Sequence, residues 1–283
     1  MYSDKLVVSN AGVQMPGIIY GTAWKKEATA ALVERALFAG FRGIDTACQP
    51  KHYHEAGVGD GIKAALQRGL LTREQLYLQT KFTPLNGQDP QRLPYDPKAV
   101  LAEQVRQSLQ MSLKNLQTGY LDGLILHSPL ADRQQLMEVW RAMETGVQAG
   151  YVKQLGVSNY YDLAVFKSLY ETATIKPALV QNRFYVDTGY DVALRIFCNQ
   201  HAVIYQSFWT LTANPGILAA PELESLAIRY QRTPAQIFFR YLTQQGIIPL
   251  TGTQSERHMY EDLAIFEFEL TEDESKNISV LLE

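Results

Sequence analysis

The chain has little cysteine, little histidine and no long greasy stretch. Cys48 and Cys198 are its only cysteines in 283 residues. Two thiols make no disulfide framework, and that count fits a reducing, cytoplasmic setting. No apolar segment approaches the roughly 18 residues that mark a membrane span. The start, MYSDKLVVSNAGVQMPG, has no basic region followed by an apolar one, so no signal peptide is expected. No Lys/Arg run or basic stripe appears and the net charge is −3, which argues against nucleic acid as a partner. No Gly-x-Gly-x-x-Gly follows the first apolar run, which counts against a dinucleotide-binding open sheet.

What remains is ordinary globular composition, 46% hydrophobic and 19% charged. Short apolar runs alternate with amphipathic stretches. The strand candidates are PGIIYGT, RGID, LYLQTKF, DGLILH, VKQLGVSN, ALVQNRF, AVIYQSF and GIIPLTG. Near-continuous apolar runs suit parallel strands buried on both faces. Between them lie helices. Asp96-Pro97 reads as an N-cap with Pro at N1, followed by an apolar stripe at Leu101, Val105, Leu109, Leu113 and Leu116. Thr233-Pro234-Ala235-Gln236 and Thr271-Glu272-Asp273-Glu274 read as capping boxes. Eight strands alternating with helices predict a (β/α)8 TIM barrel, one domain over residues 1–283, with an N-terminal β-hairpin turning at Asn10-Ala11-Gly12. The Pro-rich segment Thr83 to Lys98 follows the third barrel strand and is expected over the barrel's top.

A barrel places its chemistry at the C-terminal strand ends. Asp45, Lys81 and His127 close the second, third and fourth strands. Singly they could be a capping Asp, a solvated Lys and a buried His; three on neighbouring strands point to a site. A Lys beside an Asp stays charged and can lower a nearby phenol's pKa, making it a usable acid. The loop GFRGIDTACQPKHYHEAGVG supplies that phenol as Tyr53.

This loop resembles the first signature of the aldo-keto reductase superfamily. GYLDGLILHSP resembles its fourth-strand signature, GVSNY its nicotinamide-binding Ser-Asn, and VQNRF its amide-binding Gln. The resemblance covers nearly the whole chain. It implies NADPH laid across the barrel top, with NADH as the alternative, and reduction of a small aldehyde or ketone. Asp45 and Lys81 then tune Tyr53, which donates the proton, while His127 orients the carbonyl. Ser158, Asn159 and Gln181 hold the carboxamide. Gly21, Thr22, Gln206, Ser207, Leu211, Thr251, Gly252, Thr253, Arg257, Glu261 and Asp262 complete the implied cofactor site, and Trp24, His52, Phe82 and Trp209 the substrate pocket, with Tyr160 beside them.

Three departures matter. The family spaces its Asp and Tyr five apart, which lands here on Pro50; counting back from Glu55 lands on His52; Tyr53 fits with one residue inserted. Tyr53 is the only phenol in the loop, and His52 stays open as the acid. Gln206 stands where the family has a stacking aromatic. Leu250 replaces the Lys of the 2′-phosphate motif, leaving Arg257 as a planar phosphate binder ahead of a helix N-terminus, with His258 in the Arg slot. The short end after the last helix predicts an open site with broad aldehyde tolerance. A monomer or weak oligomer is expected. Two rival readings accompany this one: a nicotinamide-binding regulatory protein with little turnover, and a metal-dependent hydrolase using His52 and His54. Cys48 reads as a small buried hydrophobe, with redox sensitivity through Lys51 as the alternative.

Overall fold

The computed structural model describes residues 6–282. Two short strands, β1 (Leu6–Val8) and β2 (Gln14–Pro16), pair antiparallel. Gly12 carries the turn between them at φ +73°, a conformation that suits a residue without Cβ. Eight further strands follow: β3 (Ile19–Gly21), β4 (Gly43–Asp45), β5 (Tyr77–Phe82), β6 (Gly123–Leu126), β7 (Leu155–Ser158), β8 (Leu179–Arg183), β9 (Ile204–Phe208) and β10 (Ile247–Thr251). They form a closed parallel barrel in chain order, β10 pairing back onto β3. All eight strands fall within the apolar runs read from the sequence, and the expected (β/α)8 barrel with its hairpin is the fold.

The strands' two-residue period sorts their side chains into two cores. Inward, Ile19, Tyr77, Ile125, Leu179, Ile204, Ile248 and Leu250 pack with Met15 of the hairpin. The hairpin thus closes the barrel's N-terminal end, and Ser9 Oγ donates to Gln154 Oε1 at 2.6 Å beneath it. Outward, Tyr20, Ile44, Leu78, Phe82, Leu124, Leu126, Val157, Val180 and Tyr205 meet the helices. The stripe Leu101, Val105, Leu109, Leu113 and Leu116 packs into this outer core.

Helix Leu101–Asn115 begins four residues after Pro97, with Val100 as its N-cap. Asp96 instead turns the chain locally, its Oδ1 accepting from Lys98 N at 2.9 Å. Asp and Pro serve turns as well as they serve helix starts, and here the turn wins. The Thr233 and Thr271 capping boxes open helices Pro234–Gln244 and Glu272–Val280. Among the described residues no helix is long and apolar enough to cross a membrane.

Candidate active site

The last inward side chains of β4 and β5 meet at the C-terminal end of the barrel. Lys81 Nζ donates to Asp45 Oδ1 at 2.8 Å, to Asp45 Oδ2 at 2.6 Å and to Thr46 O at 2.8 Å. Both side chains are almost fully buried. Asp45 Oδ1 also accepts from Gln79 Nε2 at 2.8 Å and Gln181 Nε2 at 2.9 Å. A buried carboxylate with this many donors is held in one orientation. Burial lowers the Lys81 pKa, and the Asp45 carboxylate opposes that.

The loop after β4 carries Tyr53 back over this pair. Thr46 N and Cys48 N donate to Gln79 O and Lys81 O, so the loop starts as an extension of the sheet. Gln49 Nε2 reaches Gly87 O at 2.6 Å, and Tyr53 N donates to Gln49 O. At its far end Glu55 is buried and accepts from Thr80 Oγ1 at 2.6 Å and Asn115 Nδ2 at 3.0 Å. Helix Glu55–Gln67 then passes so close to Asn115 that a Cβ on Gly59 would overlap its carbonyl oxygen. The loop is therefore clamped on both sides. It sets the Tyr53 ring 5.2 Å from Lys81 Nζ and 6.0 Å from the His127 ring, edge to face.

One electrostatic expectation is corrected. Lys81 does not lower the Tyr53 phenol in this state. Burial first, and the Asp45 carboxylate second, push it up. The lysine's charge is already matched by Asp45, so little of it is left to favour phenolate. Tyr53 rests protonated. Its hydroxyl makes no hydrogen bond to a described residue, and the ring borders the cavity above.

His127 follows β6, and its Nδ1 lies 2.7 Å from Thr83 Oγ1. Burial, then the Lys81 and His52 charges, hold its pKa well below the usual value, so the imidazole is neutral near pH 7. Asn159 Nδ2 donates to His127 O at 2.8 Å and to Ser158 Oγ at 3.2 Å. Asn159 has φ +61°, Trp24 +63° and Trp209 +58°. All three border the same cavity, and a left-handed backbone at bulky residues is strain that a surrounding structure must hold.

That cavity has a volume of about 900 Å3. At one end it meets Asp45, Tyr53, His127, Ser158, Asn159 and Gln181. From there it runs past Gly21, Leu211, Thr251, Gly252 and Thr253 to Arg257, Glu261 and Asp262. Its far end lies at helix Glu256–Leu263, whose N-cap Ser255 accepts from His258 N. Arg257 Nε pairs with Glu261 at 3.0 Å. Asp262 is buried, accepts from Thr251 Oγ1 at 2.7 Å, and is pushed up to about 7, by burial first and by Glu261. Trp24, His52 and Trp209 rim the near end, the rings of Trp24 and His52 4.0 Å apart.

Five expected site residues stand elsewhere. Thr22 is buried and donates to Asp45 O at 2.9 Å. Phe82 follows inward Lys81, so it points outward and packs on Tyr95 in the helix-side core. Ser207 is likewise enclosed, its Oγ accepting from Thr210. Gln206 does point inward but lies beneath the cavity, where Gln79 and Gln181 donate to its Oε1. Lys81 lies behind Tyr53 rather than in the cavity wall. Tyr160 is buried in the outer core. Cys48 is enclosed, and burial pushes its thiol well up, away from reactive thiolate.

His52 and His54 diverge, one packed against Trp24 with its ring tilted and one exposed beside helix Glu55–Gln67. Among the described residues no three His, Cys, Asp or Glu side chains gather as a metal site.

Among the cavity-wall residues that the sequence reading missed are Lys25, Thr83 and Arg183. Thr83 and Arg183 carried a legible signal. Each lies two residues beyond an inward site residue, Lys81 and Gln181, and so shares its face. Lys25 had none; its Nζ crosses to Gly252 O at 2.7 Å, and burial lowers it to about 8.

Comparison with known proteins gives a consistent result. A sequence model described as "Aldo/keto reductase family" matches residues 12–189 and 198–283. An uncharacterized oxidoreductase of Bacillus subtilis, YtbE, is 31% identical over 274 residues, spanning 96% of this chain and 91% of its own. The NAD(P)H-dependent D-xylose reductase I,II of Candida tropicalis is 26% identical, spanning 96% and 90%. An aldo/keto reductase structure from Brucella melitensis superposes with a TM-score of 0.82 at 28% identity, covering 98% of this chain and 99% of that one. A Bombyx mori aldo-keto reductase in complex with NADP superposes at 0.81 and 26% identity, covering 97% and 92%.

Proposed function

The chain belongs to the aldo/keto reductase family, and from that premise we propose that it reduces a small aldehyde or ketone with NADPH, Tyr53 giving the proton. NADH is the alternative donor. One observation carries the reading: a protonated phenol with an unpaired hydroxyl stands at a cavity wall between a buried Lys–Asp pair and a neutral imidazole.

The residues fit a nicotinamide dinucleotide. The cavity is long, has amide and hydroxyl groups at one end, and has Lys25, Arg257 and a helix N-terminus at the other. A nicotinamide bound here would supply hydride to the carbonyl carbon. The chain's residues do the rest. Ser158, Asn159 and Gln181 orient the ring through its carboxamide. His127 directs the substrate oxygen toward Tyr53. As hydride arrives, that oxygen gains negative charge and takes the Tyr53 proton.

A raised phenol pKa does not obstruct this step, because an alkoxide is a stronger base than a phenolate. The Lys81 ammonium, held in place by Asp45, then faces the charge that appears on Tyr53 oxygen, and the phenol recovers a proton through solvent. Tyr53 is favoured over His52, which sits at the rim on Trp24, away from the Lys81 ammonium. Leu250 in place of a 2′-phosphate lysine leaves Lys25 and Arg257 as the cations for the cofactor. A protein that only bound the cofactor would have no use for the phenol's placement.

The test is loss of nicotinamide absorbance with NADPH, then NADH, and an activated aromatic aldehyde. Turnover under either cofactor is expected. Cofactor binding without turnover across a panel of aldehydes would favour the binding-only reading.

A further inference from the structure

Arg183 ends β8, two residues past Gln181. Gln181 points inward to Asp45. Side chains two apart share a face, so Arg183 stands one layer higher, over the barrel interior, paired in register with Phe208 of β9. Its guanidinium carbon lies 4.1 Å from the centre of the Trp209 ring and 5.2 Å from that of Tyr185. The head group is therefore held against an aromatic wall before any ligand arrives.

Among the described residues no anionic group answers its charge. Arg183 Nε is buried with no hydrogen-bond partner. No carboxylate of the described residues forms an ion pair with it. The other cations about the cavity are engaged: Lys81 with Asp45, Arg257 with Glu261, and Lys25 on Gly252 O. A buried donor left unpaired is costly and asks for an acceptor from outside. Arginine's fork matches a carboxylate in two parallel bonds.

We propose that Arg183 anchors a carboxylate on the substrate, so that the site prefers carbonyl compounds bearing an acid group remote from the reacting carbon. The inference rests on the carbonyl-reductase reading of this site. The layer in which Arg183 stands puts the anchor above the carboxamide-binding Gln181, on the open side of the cavity. A rod-like substrate would then lie with its carbonyl down at Tyr53 and its acid up at the Trp209 wall. Arg183 is in this sense a specificity residue, apart from the proton-transfer group.

The experiment compares 4-carboxybenzaldehyde with its neutral methyl ester, in wild type and Arg183→Met. Wild type should favour the acid by about tenfold or more in kcat/KM, as a charge-assisted bidentate contact warrants. In Arg183→Met the preference should collapse toward one, chiefly through KM. Arg183→Lys should restore part of it, since it keeps the charge and loses the fork. Equal rates for acid and ester in wild type would overturn the proposal. So would a preference unchanged in Arg183→Met. A variant that keeps the preference but loses NADPH affinity would also overturn it, assigning the guanidinium to the cofactor's phosphates.

A second arm does not depend on turnover. Benzoate and benzamide are titrated calorimetrically into the NADP-loaded protein. Benzoate binding that is lost in Arg183→Met supports the anchor even if no aldehyde is reduced, in which case only the reductase reading falls. Equal binding of benzoate and benzamide to wild type overturns the anchor. If Arg183→Met proves poorly folded by thermal melting, Arg183→Gln, which keeps a polar head, replaces it in both arms.

Discussion

Lys81 Nζ touches both carboxylate oxygens of Asp45, at 2.8 and 2.6 Å, inside a barrel where both side chains are almost fully buried. This pair is the ground on which Tyr53 stands. Removing one partner leaves the other charge buried and unanswered, which costs about 3–5 kcal/mol. Lys81→Met should lose stability on that scale in urea unfolding and should also lose turnover by orders of magnitude. A variant as stable as wild type would mean the pair is solvated or neutral.

Thr83 Oγ1, 2.7 Å from His127 Nδ1, fixes how the imidazole faces the substrate. A hydroxyl that donates to Nδ1 leaves the Nε2 proton pointing into the cavity, ready for a carbonyl oxygen. Thr83→Val keeps the volume and removes the bond. It should lower kcat about 10- to 100-fold while NADPH affinity holds. Thr83→Ser should rescue it. Equal rates for the Val and Ser variants would contradict the assignment.

Lys25 gives the cofactor end a pH dependence. Burial lowers it to about 8, so its cation is present below that value and is lost above it. NADPH affinity should weaken as pH rises through this range, since a phosphate is better held by the charged form. In Lys25→Met the affinity should be weaker throughout and should show no such step. Fluorescence titration from pH 6 to 10 reads both.

Asp262 is shifted upward rather than downward, and that shift is a penalty on stability. Its carboxyl is raised to about 7 in the folded protein, against about 4 in an unfolded chain. Between those values the folded state binds the extra proton, so stability falls as pH rises from about 4 to about 7. Asp262→Asn keeps an acceptor for Thr251 and cannot ionise. It should gain on the order of 2 kcal/mol at pH 8 and almost nothing at pH 4, by urea unfolding at each pH.

The barrel was legible because parallel strands buried on both faces read as near-continuous apolar runs, and most of the eight did. The proposed catalytic group was legible because Asp45, Lys81 and His127 close neighbouring strands. Register was harder. Phe82 was assigned to the pocket beside Lys81, although adjacent strand residues face opposite ways; Thr22 and Ser207 fall to the same rule. Gln206 has the right parity but lies one layer too deep, and depth along the barrel axis is not written in a two-residue period. Asp96-Pro97 shows the limit of cap signals, since a turn satisfies the same residues. Lys25 reaches Gly252 across more than two hundred residues of chain, a contact with no local trace.

The central claim is that Tyr53 is the proton donor, and Tyr53→Phe tests it most directly. The variant keeps the ring that packs on His127 and loses only the hydroxyl. NADPH binding, followed by tryptophan fluorescence, should match wild type, while aldehyde reduction should fall by at least about 100-fold, the low end for loss of a general acid. A Tyr53→Phe enzyme that binds NADPH and keeps most of its activity would contradict the account and move the proton donor to His52.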